Sequence, residues 1–349
     1  MQKMSFHRMT VVSGVLLALI LCFTPGHALS YTPLDPDKAR AAAKSALQDT
    51  YPDADVVVVD SHQWVSYRED GTYSEWYELY VKILTEKGKR RYKTVTSSFN
   101  VSYNTTEFTL VEVITQDGRI IPVDLAKNSS QMIEQSQMES NIYDPSNRMI
   151  RVSIPELNIG DTVHFIMHDE FKKTQMAGTF SDYITFESTD PIMTSRYTVI
   201  APKEKPLRSM ALKSPVKDSV QHTEESAGDS IVYRWTAHDV PMAFEEPQMP
   251  ELYTQVQRLL VSTIPDWQTV SQWYWNLSRP NIEATTPEMK KTVDALISGI
   301  DEPQKKIEAI FRFVSQEIRY LGITVEEESP GYEPHPVNMT FERRAGVCR

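Results

Sequence analysis

Cysteine is almost missing, with Cys22 and Cys348 the only two in 349 residues. A mature chain that loses its first thirty residues therefore keeps one thiol, has no internal disulfide, and must draw its stability from burial. An excess of positive charge is missing too. Against 36 basic side chains stand 47 acidic ones, and no long block of Lys and Arg follows the N-terminus. Nothing in that balance would track the phosphates of nucleic acid or capture anionic lipid. No second long apolar run follows the first, which argues against transmembrane signalling or transport. No segment recurs at a fixed period. What is present, a 40% hydrophobic content over this length, suffices for two domains with proper cores.

The one long apolar run, Val11 to Phe23, follows Lys3 and Arg8 and precedes Pro25, Gly26 and the small residues Ala28 and Ser30. That order is the pattern of a secretory signal peptide, and the run falls short of the ~20 residues that span a bilayer. Cleavage after Ala28 or Ser30 is expected. The predicted location is exported, periplasmic or extracellular, with membrane contact only through the signal during export. A lipid anchor at Cys22 is disfavoured by the large Leu21 before it.

After this signal (1–30), Asp35 and Pro36 predict a helix through Ala39, Ala43 and Leu47, within 31–50. The region 51–250 reads as β. Val56 to Val59 and Tyr73 to Leu84 are strand-like, with Tyr77, Leu79, Val81 and Ile83 on one face, and similar runs continue to Ile231–Trp235. Asp70-Gly71, Lys87-Gly88 and Asp117-Gly118 read as turns, and Lys203 to Asp229 as a solvated loop or ragged hairpin. This predicts a mainly β domain of antiparallel, sandwich-like design. Past Pro250 the period becomes helical. Trp267, Val270, Tyr274 and Leu277 share a face in a linker (251–285). Met289, Val293, Leu296 and Ile297 form a second stripe, and Ile307, Ile310, Phe311, Val314 and Ile318 a third, within 286–349.

The last thirty residues carry three informative stretches: Ile318-Arg319-Tyr320-Leu321-Gly322, Gly331-Tyr332-Glu333-Pro334-His335-Pro336, and Arg343-Arg344-Ala345-Gly346-Val347-Cys348-Arg349. They resemble the entry to the α+β, papain-like catalytic core of the transglutaminase-like family, in which a helix ending in Arg-Tyr leads through a proline loop to a Gly-x-Cys turn. Upstream, Tyr51-Pro52-Asp53-Ala54, Leu84-Thr85-Glu86-Lys87-Gly88, Ile154-Pro155-Glu156-Leu157 with Gly160-Asp161, and Asp190-Pro191 resemble domain of unknown function 3857, found before such cores in secreted bacterial proteins.

The resemblance implies that Cys348 is a nucleophile, with Tyr320, His335 and Gly346 as substrate-cleft candidates. It also implies cysteine acyl transfer or peptidase-type chemistry on a protein or peptide substrate. The alternative is a non-catalytic β-sandwich module that binds a cell-envelope partner. A thiolate nucleophile is favoured at a helix N-terminus beside a cation, and it needs an imidazole and an orienting carboxylate. The family's His and Asp follow the cysteine by tens of residues, whereas here only Arg349 follows it. His335, between two prolines, reads as a loop residue that shapes the cleft.

No cofactor or metal is expected. His164 and His168 have the spacing of a helical zinc motif but fall in a strand, where four residues span ~13 Å and cannot share an ion. The acidic run Glu326 to Glu328 lacks calcium-loop spacing and reads as a solvated loop. In the 349-residue chain by itself, Cys348 is expected to behave as an ordinary thiol. Its iodoacetamide labelling should titrate near pH ~8.5, without amine incorporation into a glutamine-containing protein. A midpoint well below neutrality, or amine transfer lost in Cys348→Ala, would show that another group completes the site.

Overall fold

The computed structural model describes residues 29–134, 137, 142–324, 326 and 330–347. Helix α1 (Pro36–Ser45) starts where Asp35 accepts hydrogen bonds from the Asp37 and Lys38 amides. Next come β1 (Val56–Tyr67), β2 (Tyr73–Ile83), α2 (Glu86–Tyr92), β3 (Thr94–Asn100), β4 (Asn104–Ile114), β5 (Ile120–Pro122), α3 (Leu125–Asn128) and β6 (Ser129–Ile133). They are followed by β7 (Ile142–Tyr143), β8 (Asn147–Ser153), β9 (Thr162–Phe171), β10 (Ser181–Thr185), β11 (Ile192–Pro202), β12 (Ser209–Lys213), β13 (Val220–Ala227) and β14 (Ser230–Val240). The remainder is α4 (Leu252–Gln255), β15 (Arg258–Ser262), α5 (Trp267–Glu283), α6 (Pro287–Leu296), α7 (Pro303–Glu317), β16 (Arg319–Tyr320), β17 (Gly322–Ile323), α8 (Val337–Arg343) and β18 (Ala345–Gly346).

The protein is mainly β, and a helical region follows the β domain. Eight strands form one sheet in the order β13-β14-β11-β1-β2-β9-β4-β5, antiparallel except where β1 runs parallel to β11. Two three-stranded sheets, β10-β15-β12 and β3-β8-β6, cover one face. The first encloses a core of Val65, Tyr67, Tyr197, Trp235, Phe180 and Leu259. The second closes over Leu79, Val81, Val111, Phe165, Val152 and Ile154. On the opposite face Val57, Val59 and Tyr80 pack on Ala39 and Ala43 of α1.

Strand alternation alone would not keep β1 in register with both cores. A bulge between Val58 and Asp60 resets its pleat, so that Val58 and then Val65 and Tyr67 face the small sheets. A second bulge, between Phe108 and Leu110, does the same for β4. The predicted β2 face of Tyr77, Leu79, Val81 and Ile83 lies entirely against the second core. Asp70-Gly71 does form the β1–β2 turn. Gly71 has φ +87, and a Cβ there would lie 2.3 Å from the Thr179 carbonyl oxygen, so no other residue fits.

Three expectations are corrected. Lys87-Gly88 is not a turn but the start of α2, where Thr85 caps the Gly88 amide and Gly88 lies so close to Asp55 that a Cβ would clash with its carbonyl. The stretch from Lys203 to Asp229 contains two strands, and β13 pairs along its whole length with β14. The helical texture after Pro250 is interrupted by β15, the central strand of its small sheet, whose Leu259 and Val261 are core residues. Helices α5, α6 and α7 fall where the three stripes put them. Asp266 and Thr286 cap α5 and α6, while Ile307, Phe311 and Val314 of α7 remain exposed. Leu47 lies past the end of α1 and is exposed as well. Among the described residues no helix is long and apolar enough to cross a membrane.

Candidate functional site

The terminal segment is built from very short elements that gain order by pairing. Strand β16 lies parallel to β18, with Tyr320 opposite Gly346, the Arg319 amide donating to the Arg344 carbonyl (2.8 Å) and the Leu321 amide to that of Gly346 (2.8 Å). Two of the sequence-predicted residues, Tyr320 and Gly346, are thereby brought side by side. Arg344 takes a left-handed conformation (φ 53) at the end of α8, and its guanidinium lies over the rings of Phe313 (4.8 Å) and Phe341 (4.6 Å). Cation and ring attract one another, which ties α8 to α7. Gly346 has a local reason to be glycine, since a Cβ would come within 2.8 Å of Thr340 Cγ2. Tyr320 is half exposed. Cys348, two residues beyond Gly346, lies outside the described residues.

His335 lies in the segment just before α8. It is nearly buried, and its Nε2 stands 2.8 Å from Oε1 of Glu326, which is buried as well. The two atoms are at ion-pair distance but are not aligned for a hydrogen bond. The reading of Glu326 as part of a solvated loop is thereby corrected; Glu327 and Glu328 lie outside the described residues. The nearest sequence signal was a histidine and an acidic run within ten residues of one another, which gives no hint of burial.

The same segment is fastened to the β domain. The Tyr103 hydroxyl, buried beside β4, donates to the Pro330 carbonyl at 2.7 Å, and β17 pairs in parallel with β7. Between the two regions opens a cleft of about 760 Å³, walled by the loop 173–178 on one side and by α5 and Glu333 on the other. Sequence reasoning missed this cleft entirely. One signal could have pointed to it: Pro280 inside the α5 apolar pattern, which marks a helix irregularity that structure alone does not need.

His164 and His168 lie in β9, a strand as read. They serve different neighbours. His164 Nε2 is 2.9 Å from Glu78 and its Nδ1 is 2.9 Å from Glu112, while His168 meets Ser74 and stacks on Trp76. Burial alone would lower the His164 pKa, but the hydrogen bonds to Glu112 and Glu78 outweigh it and hold it above the ordinary value. Burial would likewise raise Glu78, and bonds from His164, Tyr31 and the Leu34 amide bring it below its ordinary value. This cluster is enclosed and fully partnered, which makes it a structural clamp. Among the described residues no group of His, Cys, Asp and Glu is disposed to hold a metal ion.

The described chain joins a β-rich domain to a helical region. Residues 69–244, half of the chain, match the family model described as "Domain of Unknown Function with solved-structure structure (DUF3857)", and the chain belongs to that family. Among solved structures it is similar to a "putative protease" from Parabacteroides distasonis, with a TM-score of 0.68 and 15% identity over 84% of this chain. The chain spans 56% of the length of that structure. At that identity the likeness is one of fold. An M1 zinc metallopeptidase from Deinococcus radiodurans (TM-score 0.30, 12% identity, 60% of this chain and 42% of that one) is too distant to carry an argument. So is the CBM3a-L domain from the Clostridium thermocellum cellulosome scaffoldin (TM-score 0.21, 12% identity, 34% of this chain and 69% of that one). No curated protein matches the sequence.

The fastening of the terminal segment can be tested at Tyr103. Tyr103→Phe removes the hydroxyl bonded to Pro330 and should cost about 1 kcal/mol. Hydrogen exchange should quicken at the Leu321 and Thr324 amides and stay unchanged in β2 and β9. Uniform quickening across the eight-stranded sheet would contradict a local role.

Proposed function

We propose that this chain is the N-terminal part of an exported, transglutaminase-like cysteine protein that performs acyl transfer or hydrolysis on peptide amide bonds. The observation that carries the reading is the β16–β18 pairing. It places Arg319-Tyr320, just past the end of α7, beside Ala345-Gly346, two residues before Cys348 in the sequence, and so supports a transglutaminase-like entry. The fold likeness to a protein described as a "putative protease" supports the peptidase-type side of the proposal.

In this chemistry the Cys348 thiolate attacks the carbonyl carbon of the amide. The amide C–N bond breaks, and a nearby imidazole delivers to the leaving amine the proton it took from the thiol. The resulting thioester is released by water in a peptidase, or by a second amine in a transferase. Tyr320 and Gly346, paired across β16 and β18, are the substrate contacts of this reading, and His335, close to Glu326, supports the segment before α8.

The protein recovered from the periplasm or medium of its own source, at whatever length its coding frame gives, should begin near Leu29 or Tyr31 by intact mass. It should cleave casein or incorporate a labelled amine into it, and Cys348→Ala should lower that rate by at least about a thousandfold. Activity that survives Cys348→Ala would overturn the assignment of the nucleophile.

A further inference from the structure

The cleft between loop 173–178 and α5 has the volume of a ligand site and the chemistry of a particular kind of ligand. Its loop wall is built in advance. The Met176 carbonyl accepts from the Thr179 amide (3.2 Å), the Thr179 hydroxyl (2.7 Å) and the Thr174 hydroxyl (3.0 Å). Lys205 reaches across to donate to the Gly178 and Glu69 carbonyls. A wall held in this way does not have to be ordered when a ligand arrives.

The opposite wall carries an irregularity that faces the cleft. Pro280 lies inside α5 and has no amide hydrogen, so the helical bond to the Asn276 carbonyl cannot form. Asn276 and Pro280 both line the cleft, together with Asn281, whose side-chain amide donates to Glu333 at 3.3 Å. The Asn281 amide also donates to the Leu277 carbonyl, and Asn276 Oδ1 accepts from Gln272, which leaves the Asn276 side-chain amide as donor and the Asn281 side-chain oxygen as acceptor. With a main-chain acceptor lacking its helical donor, these suit a partner that offers N–H and C=O groups in alternation. Trp273 and Met176 add apolar surface between these groups. A polypeptide backbone with apolar side chains fits both features. A glycan would set hydroxyls against the thioether of Met176.

We propose that this cleft binds an extended polypeptide segment, the part of the substrate that lies away from the scissile bond. The proposal rests on the peptide-directed reading above and deepens it. Glu333, on the cleft wall, is two residues before His335, so a chain lying in the cleft runs alongside the terminal segment. The β domain then supplies one wall of the substrate site.

The test measures binding and needs no turnover. Fluorescein-labelled β-casein serves as the unfolded polypeptide and chitohexaose as the glycan, each titrated against the full chain carrying Cys348→Ala. Casein should bind, and Trp273→Ala should weaken it about tenfold, as removing a central aromatic contact does. Pro280→Ala restores the helical bond to Asn276, so it should raise the melting temperature while weakening casein binding. A merely structural proline would not move the two in opposite directions. Casein binding untouched by both variants would overturn the cleft assignment and leave the peptide-directed reading standing. Chitohexaose binding with no casein binding would overturn the cleft proposal, and the loss of peptide activity in the native protein would separately overturn the reading beneath it.

Discussion

Near the middle of the eight-stranded sheet the carboxylate of Glu78 is buried without any exposed surface. A carboxylate in such a place must be paired and hydrogen-bonded, and removing a partner from a buried ion pair costs about 3–5 kcal/mol. Here the partners come from three directions. His164 supplies a ring nitrogen from the neighbouring strand, the Tyr31 hydroxyl donates at 2.5 Å, and the Leu34 amide donates at 2.7 Å. Two of these belong to the segment just before α1. The buried charge therefore fixes where the chain enters, and α1 then lies over Val57, Val59 and Tyr80 to close that face of the sheet.

The other face answers a different constraint. Eight strands are too wide for one small sheet to cover, so two cover it, and the seam between them is polar. Tyr73 packs on one core and Tyr77 on the other, with Glu75 between them on β2. Burial and the charges of Asp182 and Asp169 push Glu75 well above the usual carboxylate range. Burial raises Asp182 to about 6, though Tyr197 and Gln63 bond to it. The bulge in β1 lets two cores share that strand, and the bulge in β4 keeps Phe108 and then Val111 and Val113 facing the second core. The helices after Pro250 contribute little to either core, and α5 forms the far wall of the cleft.

Much of this was legible in the residues. Alternation over Tyr73–Ile83 gave β2 and its buried face, because a strand with one dry side must alternate. A cap gave the start of α1, because Asp35 satisfies amides that a helix leaves open. Long-range effects were not legible. Gly88 looks like a turn residue locally, and only the approach of Asp55 explains it. β15 sits among helical signals, and its strand state is imposed by β10 and β12 on either side. The cleft facing Pro280 depends on segments far apart in the chain, and the pairing of His335 with Glu326, though close in sequence, rests on a burial that local spacing does not record.

The claim on which the arrangement rests is that His164 is charged, as an imidazole must be to donate from both nitrogens to two carboxylates. Its folded pKa then lies above its unfolded value, so its stabilisation is complete below about pH 6.5 and is lost as pH rises through the raised value. Glu78 acts in the opposite sense. Its pKa is lowered, so its contribution is present above the ordinary carboxylate value and is lost as pH falls through the folded one. The direct measurement is a nitrogen-15 NMR titration of the His164 ring in the folded protein. A ring protonated on both nitrogens below a midpoint that lies above about 6.5 is predicted. A single protonated nitrogen at neutral pH, with a midpoint lowered by burial, would contradict the account.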